Sequence, residues 1–206
     1  MDPRSKILTL ETTDAWVAAQ RDAGRKIGFT CGAFDLLHAG HVQYLAQARQ
    51  LCDRLLVAVN TDASVRRYKN PLRPFHPEAQ RAYVVAGLAP VDAVTWLDED
   101  RPLALILRWK PDLYIKGGDY SEASLQSADA VKSYGGRVEV IEPEFATSTS
   151  RLAEKIVLAS LHAAPEKPAA LEARALVLLD RDGTLIRNIP LLHDPSRVEL
   201  LPGVDR

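Results

Sequence analysis

Two histidines lie three residues apart in the stretch GAFDLLHAGH (residues 32–41), which directly follows a short run rich in β-forming residues. A helical pattern begins after this glycine-bounded turn, so His38 and His41 are predicted near a helix amino terminus. Unpaired N–H groups and the positive end of the helix dipole favour phosphate there. The pattern predicts a polyphosphate pocket that also stabilises charge in a transition state. The alternatives are a pair of metal ligands and a purely structural pair of histidines.

Two further polar segments follow predicted strands. One contains Lys116, Gly117, Gly118 and Asp119, in which the paired glycines allow close backbone approach and the lysine supplies a cation for phosphate. The other contains the hydroxyls of residues 147–149, just before an amphipathic stretch, where they could hold phosphate. The alternatives are an ordinary glycine turn with a surface lysine and simple helix capping.

A polar and basic region separates the second predicted strand from the next helix. Asn60 and Asp62 lie at the strand end, Lys69 follows with other basic residues, and Arg81 lies in the early turns of the next helix. A flexible basic loop here could close over phosphates, and a solvated run of charge is the alternative.

Short apolar runs alternate with amphipathic stretches along most of the chain, and this order predicts an α/β fold with a Rossmann-like, doubly wound parallel sheet. Ligands bind such a sheet beyond the carboxyl ends of its strands, where the polar segments lie. The predicted strands are 26–31, 55–60, 93–97, 112–115 and 137–141, and the predicted helices are 40–52, 77–88, 102–109, 121–134 and 150–162.

The composition is that of a globular protein, with 206 residues, 47% hydrophobic residues and a net charge of -1. The balanced charge argues against nucleic acid or an anionic membrane as a partner. No apolar stretch approaches the length needed to span a bilayer, and no secretory signal is evident, so we expect a cytoplasmic protein. The two cysteines predict neither a disulfide framework nor a metal knuckle.

The composition changes after residue 163, and we predict one domain over residues 1–163, a linker over 164–174 and a second, incomplete segment over 175–206. In the last segment a strand-like run precedes Asp180 and Asp182. It resembles the first motif of the haloacid-dehalogenase (HAD) phosphatases and the start of the heptose-bisphosphate phosphatases. The resemblance implies a nucleophile at Asp180, an acid/base at Asp182 and Mg²⁺ binding if the domain were complete. We expect an inert fragment.

The GAFDLLHAGH stretch resembles the GxFDxxHxGH signature of the HxGH nucleotidyltransferase superfamily. With AVNTDAS, RPFHPEAQR, PDLYIKGGDY and TSTS, it resembles the adenylyltransferases that activate D-glycero-β-D-manno-heptose 1-phosphate. The resemblance implies that ATP and the sugar 1-phosphate give ADP-heptose and pyrophosphate, with Mg²⁺ carried by the nucleotide and no metal ligands from the transferase site. The family is often dimeric, so a homodimer is expected.

The resemblance also assigns roles to residues. It implies His38, His41 and Lys116 as catalytic residues. The implied nucleotide and phosphate contacts are Gly32, Phe34, Asp35, Gly40, Gly117, Gly118, Asp119, Thr147, Ser148 and Thr149. The implied substrate contacts are Asn60, Asp62, Lys69 and Arg81.

Three other functions stay open at this point. The first is a cytidylyltransferase for glycerol phosphate or another polyol phosphate. Residues 144–149 lack the arginine and glycine that related cytidylyltransferases carry, which points away from CTP. The second is a HAD phosphatase fragment with a nucleotide-binding regulatory domain, and the third is a non-catalytic nucleotide sensor.

Overall fold

The structure of the chain, a computed structural model, describes residues 2–69, 71–118, 127–142, 144–145 and 147–162. Within these residues five parallel strands form one sheet in the order β3-β2-β1-β4-β5. The strands are β1 (Ile27–Gly32), β2 (Arg54–Asn60), β3 (Ala93–Leu97), β4 (Leu113–Gly117) and β5 (Arg137–Ile141). The α-helices are α1 (Leu10–Asp22), α2 (Ala39–Gln50), α3 (Asp62–Tyr68), α4 (Glu78–Ala86), α5 (Leu103–Trp109), α6 (Ala128–Ser133) and α7 (Thr149–His162).

The sheet is covered on both faces, which confirms the Rossmann-like α/β architecture. Alternate residues of β2 point to opposite faces, so Leu55 and Val57 pack towards α2 and α4, whereas Leu56 and Ala58 pack towards α1, α5 and α6. All four of these side chains are fully buried. Burial on both sides explains why β2 is a continuous apolar run rather than an alternating one.

The switch point of the sheet lies between β1 and β4. The chain winds outward from β1 through β2 to β3 and then returns to β4 on the other side. β1 pairs with β2 over its whole length, but its register with β4 consists of Gly28↔Leu113 and Phe29↔Tyr114. Beyond these pairs the two strands diverge towards their carboxyl ends, and this divergence opens the crevice that such a topology offers to a ligand.

Two helices depart from the sequence-based predictions. The expectation of a flexible basic loop is wrong for residues 62–68, which form α3. Thr61 begins this helix, because its hydroxyl accepts a hydrogen bond from the backbone N–H of Ser64. Helix α1 was not predicted. Its buried side chains are Thr13 and Val17, so its apolar stripe is narrow and periodicity gives a weak signal.

The remaining predictions about the chain termini lie outside the described residues. The predicted linker and the HAD-like segment with Asp180 and Asp182 fall in residues 163–206, and Asp119 also lies outside the described ranges. No helix in the described part of the chain is long and apolar enough to cross a membrane.

Candidate active site

One cavity of about 650 Å³ lies at the carboxyl ends of the strands and collects nearly all of the predicted site residues. Of the predicted residues that the structure describes, Asp62 and Arg81 do not line it. The predicted residues that do line it are Gly32, Phe34, Asp35, His38, Gly40, His41, Asn60, Lys69, Lys116, Gly117, Gly118, Thr147, Ser148 and Thr149.

The two histidines are placed by the start of α2. His38 precedes the helix in an extended conformation, His41 lies in the first turn, and the ring centroids are 4.0 Å apart. The backbone N–H of His38 donates a hydrogen bond to Nδ1 of His41 at 3.4 Å. A Cβ at Gly40 would lie 3.1 Å from the His38 ring, so the glycine between the histidines lets this ring fold over the helix start.

Partial burial disfavours the charged form of both imidazoles. Burial lowers the pKa of His41 from 6.5 to about 4, the neighbouring His38 lowers it further, and Asp35 opposes the shift. Burial also lowers the pKa of His38. Because Nδ1 of His41 accepts a hydrogen bond, its ring proton is assigned to Nε2, which makes that atom a donor.

The loop that precedes the histidines has a strained backbone. Phe34 and Leu36 have φ values of 48° and 49°, in the left-handed region that non-glycine residues avoid. Each such residue costs about 1–3 kcal/mol and persists only where surrounding contacts hold it. Phe34 is buried, and its ring centroid lies 5.6 Å from that of His41. The strained backbone therefore lowers the stability of the loop, and the same loop places the aromatic ring of Phe34 against His41.

Asp35, between the two strained residues, holds this loop in place. Its carboxylate is 2% exposed and accepts hydrogen bonds from the backbone N–H groups of Phe75 at 2.9 Å and His76 at 3.1 Å. Arg73 lies 3.3 Å from the same carboxylate. The backbone carbonyl of Asp35 accepts a hydrogen bond from the Thr149 hydroxyl at 2.7 Å. Asp35 thus joins the HxGH loop to residues 73–76 and to α7, and its carboxylate is occupied by these contacts.

Arg81 lies behind the cavity wall, where it ties three segments together. It is 2% exposed, and its guanidinium donates to the carbonyl oxygens of Ala33, Asn60 and His76. It also forms an ion pair with Asp62 at 2.8 Å. These partners use most of the donors of the guanidinium, so the geometry favours a supporting role for Arg81 and Asp62 over direct substrate contact.

Lys116 and Gly117 are the last two residues of β4 and Gly118 follows them, on the far side of the crevice. Nζ of Lys116 lies 3.5 Å from the carbonyl oxygen of Cys31 in β1. Gly118 has a φ of 122°, which only glycine adopts readily, and a Cβ at Gly117 would lie 2.7 Å from the ring of Tyr44. Each glycine therefore has a structural reason to be glycine, independently of any ligand.

The hydroxyl segment does act as a helix cap. The Ser148 hydroxyl accepts a hydrogen bond from the backbone N–H of Arg151 at 3.2 Å, near the start of α7. Together with the bond from Thr149 to Asp35, this fixes two of the three hydroxyls in the cavity wall. Capping and phosphate binding remain compatible, because a helix amino terminus offers several N–H groups.

Several lining residues were not singled out from the sequence. Tyr44, Tyr68, Arg73 and Asp100 all line the cavity. Arg73 belongs to the RPFHPEAQR stretch, but its ion pair with the buried Asp35 forms across nearly 40 residues and leaves no local signal. Tyr44 had a usable signal, because a residue three positions after His41 shares its helix face.

Known proteins are similar to the part of this chain that forms the sheet and the cavity. The cytidylyltransferase-like family model matches residues 29–166. The bifunctional protein HldE of Trichlorobacter lovleyi is 47% identical over 156 residues, covering 76% of this chain and 32% of that protein. HldE of Caulobacter sp. strain K31 is 48% identical over 147 residues, covering 71% and 30% of the two chains. The chain thus spans about a third of the length of these curated relatives.

Two solved structures share the fold. The lipopolysaccharide core biosynthesis protein from Thermoplasma volcanium is 28% identical, with a TM-score of 0.50 over 60% of this chain and 100% of that one. The pantoate-beta-alanine ligase from Francisella tularensis is 14% identical, with a TM-score of 0.51 over 72% of each chain, and this likeness concerns the fold alone.

Proposed function

The chain belongs to the cytidylyltransferase-like family, and from that premise we propose that it transfers AMP from ATP to D-glycero-β-D-manno-heptose 1-phosphate, as an adenylyltransferase of the HldE type. The products are ADP-heptose and pyrophosphate. The observation that carries this proposal is the convergence of His38, His41 and Lys116 on one cavity at the carboxyl edge of the sheet. The 47% identity to an HldE protein over 156 residues supports the choice of nucleotide and acceptor.

The reaction needs positioning and charge stabilisation rather than a protein nucleophile. An oxygen of the sugar phosphate attacks the α-phosphorus of ATP, a new P–O bond forms, and the bond to the β-phosphate bridge breaks in line with it. In this proposal His38, His41 and Lys116 donate hydrogen bonds to the phosphate oxygens on which charge accumulates. Both histidines lie at the start of α2, whose N–H groups and dipole act in the same direction.

The cavity has two ends, which we assign to the two substrates. Near β1, β4 and α7 it is lined by the histidines, Lys116 and the hydroxyl segment, and this end would hold the triphosphate. Near β2 and β3 it is lined by Asn60, Lys69 and Asp100. Cationic, amide and carboxylate groups together suit an acceptor that carries both a phosphate and several hydroxyls.

We propose that Mg²⁺ arrives with ATP, where it would offset the charge of the phosphates. Asp35 is poorly suited to bind a metal, because Arg73 and two backbone N–H groups already engage its buried carboxylate. This arrangement fits a metal that the nucleotide itself carries into the cavity.

The test is pyrophosphate release from ATP, CTP, GTP and UTP, each with heptose 1-phosphate and with glycerol 3-phosphate. The proposal requires turnover with ATP and heptose 1-phosphate, and a marked loss in His41→Ala. Preference for CTP with glycerol 3-phosphate would instead establish a cytidylyltransferase for a polyol phosphate. Near-wild-type release by His41→Ala would remove the histidines from the reaction.

A further inference from the structure

Tyr44 connects the two halves of the catalytic site. It lies one helical turn after His41 in α2, and its hydroxyl donates a hydrogen bond to the carbonyl oxygen of Ile115 in β4 at 2.8 Å. The same hydroxyl lies 2.5 Å from the hydroxyl of Thr30 in β1. One side chain therefore joins the helix that carries the histidines to both strands that border the crevice.

The direction of this hydrogen-bond chain follows from proton counting. The Tyr44 hydroxyl has one proton, which goes to the Ile115 carbonyl, so the Thr30 hydroxyl must donate to Tyr44. Thr30 is fully buried, and the chain satisfies its only side-chain donor. Burial raises the pKa of the Tyr44 hydroxyl, so it stays protonated and remains a donor throughout the physiological pH range.

The hydrogen-bond chain lies where the sheet begins to open. The direct register of β1 with β4 reaches Phe29↔Tyr114, and Thr30 and Ile115 are the next residue on each strand. Immediately beyond them, Nζ of Lys116 approaches the carbonyl oxygen of Cys31 at 3.5 Å. Tyr44 thus bridges the strands at the point where they separate, one residue before the lysine.

Like the hydroxyl of Tyr44, its ring also holds the backbone at the end of β4 in place. A Cβ on Gly117 would lie 2.7 Å from Cδ2 and 2.9 Å from Cε2 of Tyr44, closer than real side chains approach. The ring therefore occupies the space beside Gly117, and the residues on both sides of Lys116 rest against α2.

From these contacts we infer that Tyr44 is a positioning residue, which sets the place of Lys116 relative to His38 and His41 at the opening between β1 and β4. The inference rests on the proposed function, because that function assigns these three residues to the same phosphates. Tyr44 itself acts through Lys116 and takes no part in the bond changes.

The test begins with Tyr44→Phe, which keeps the ring against Gly117 and removes the hydroxyl. A displacement of about 1 Å at a catalytic group costs up to about 10²-fold in rate, so we expect kcat to fall by about 10- to 100-fold with little change in KM for ATP. Thr30→Val leaves the hydrogen bond from Tyr44 to Ile115 in place, so we expect a smaller decrease in kcat. Tyr83→Phe on the exposed face of α4 is the matched control and should match the wild type.

The decisive readout is coupling to the lysine. In a Lys116→Met background, Tyr44→Phe should have little further effect on kcat, because the group that it positions is gone. A purely structural role would lower kcat by the same factor in both backgrounds, and this result, or a wild-type kcat in Tyr44→Phe, overturns the inference. Should Tyr44→Phe fail to fold, Thr30→Val takes its place in the same comparison.

A second measurement separates this inference from the proposed function. Amide hydrogen exchange of residues 115–118 in the ligand-free protein should speed up in Tyr44→Phe and stay unchanged in Tyr83→Phe. If the wild type releases no pyrophosphate from any nucleotide, the proposed function fails, and exchange alone then decides whether Tyr44 orders the strand end. Unchanged exchange in Tyr44→Phe overturns the inference whatever reaction the wild type catalyses.

Discussion

Acid should destabilise this protein specifically through His41. In the folded chain, burial lowers the pKa of His41 from 6.5 to about 4. The unfolded chain therefore takes up a proton on this residue before the folded chain does, and stability falls as the pH drops between these two values. The contribution is fully present above pH 6.5 and is lost progressively towards pH 4.

The size of the effect follows from the two pKa values. A shift of one pKa unit corresponds to about 1.4 kcal/mol, so the full shift is worth about 3 kcal/mol. Relative to pH 7.5, the free energy of unfolding should be lower by about 1 kcal/mol at pH 5.5 and by between about 2 and 3 kcal/mol at pH 4.5.

Urea unfolding of the wild type and of His41→Asn, followed from pH 7.5 to 4.5, isolates this contribution. The other titrating groups are present in both proteins, so the difference between the two free energies of unfolding reports His41. As the pH falls, the free energy of unfolding of the wild type should decrease relative to that of His41→Asn, by about 1 kcal/mol at pH 5.5 and by about 2–3 kcal/mol at pH 4.5. His38→Asn is the control, and it should leave most of the shift in place, because burial is its main cause.

Two results would refute the reasoning. One is a free-energy difference that stays flat from pH 7.5 to 4.5. The other is an NMR titration of the ligand-free protein in which the His41 ring takes up its proton near pH 6.5. Either would mean that water reaches the ring, contrary to its packing beside Phe34 and His38.

Four further outcomes are expected. Arg81→Met should lower the free energy of unfolding by about 3–5 kcal/mol in urea titrations, because it leaves a carboxylate and three carbonyl groups without their buried partner. Asp35→Asn should lower it by about 1–3 kcal/mol and raise KM for the acceptor, since Arg73 and the backbone beside it lose their anchor. Lys116→Met should lower kcat for pyrophosphate release by about 10²–10³. Calorimetry of ATP binding in buffers of different ionisation enthalpy should detect proton uptake, because the negative charge of a bound triphosphate would favour the protonated form of His41, whose pKa burial lowers.

The positions of the strands could be predicted from the sequence, because the central strands β1 and β2 are short apolar runs buried on both faces. Leu55 and Leu56 are adjacent in the chain and contact helices on opposite sides of the sheet, so this pattern is strong. Helix α3 is missing from the prediction, although its cap at Thr61 is a local signal; its contact between Arg67 and Asp100 joins residues distant in sequence and leaves no such signal. A run of basic residues is compatible with either a loop or a helix, so the charge alone could not distinguish the two.

The sequence predicted the site residues that lie at the ends of strands, but it could not predict which of the site residues contact one another. The glycine turn and the strand ends indicated that His38, His41 and Lys116 share an edge of the sheet. The sequence could not show that Arg81 does not line the cavity, because its carbonyl partners are backbone atoms of three separate segments. Backbone acceptors have no residue type, so no pattern of letters reveals them.

The charges around the cavity bear on how a chain with a net charge of -1 would bind the polyanionic substrates that we propose. Arg73 is balanced by Asp35 and Arg81 by Asp62, so these pairs add little to the local potential. The partial burial of the two imidazoles disfavours their charged form, which avoids the cost of holding bare charge in a partly desolvated pocket. A triphosphate changes that balance, because its charge favours the protonated rings. The positive charge of this site would therefore develop with the ligand rather than before it.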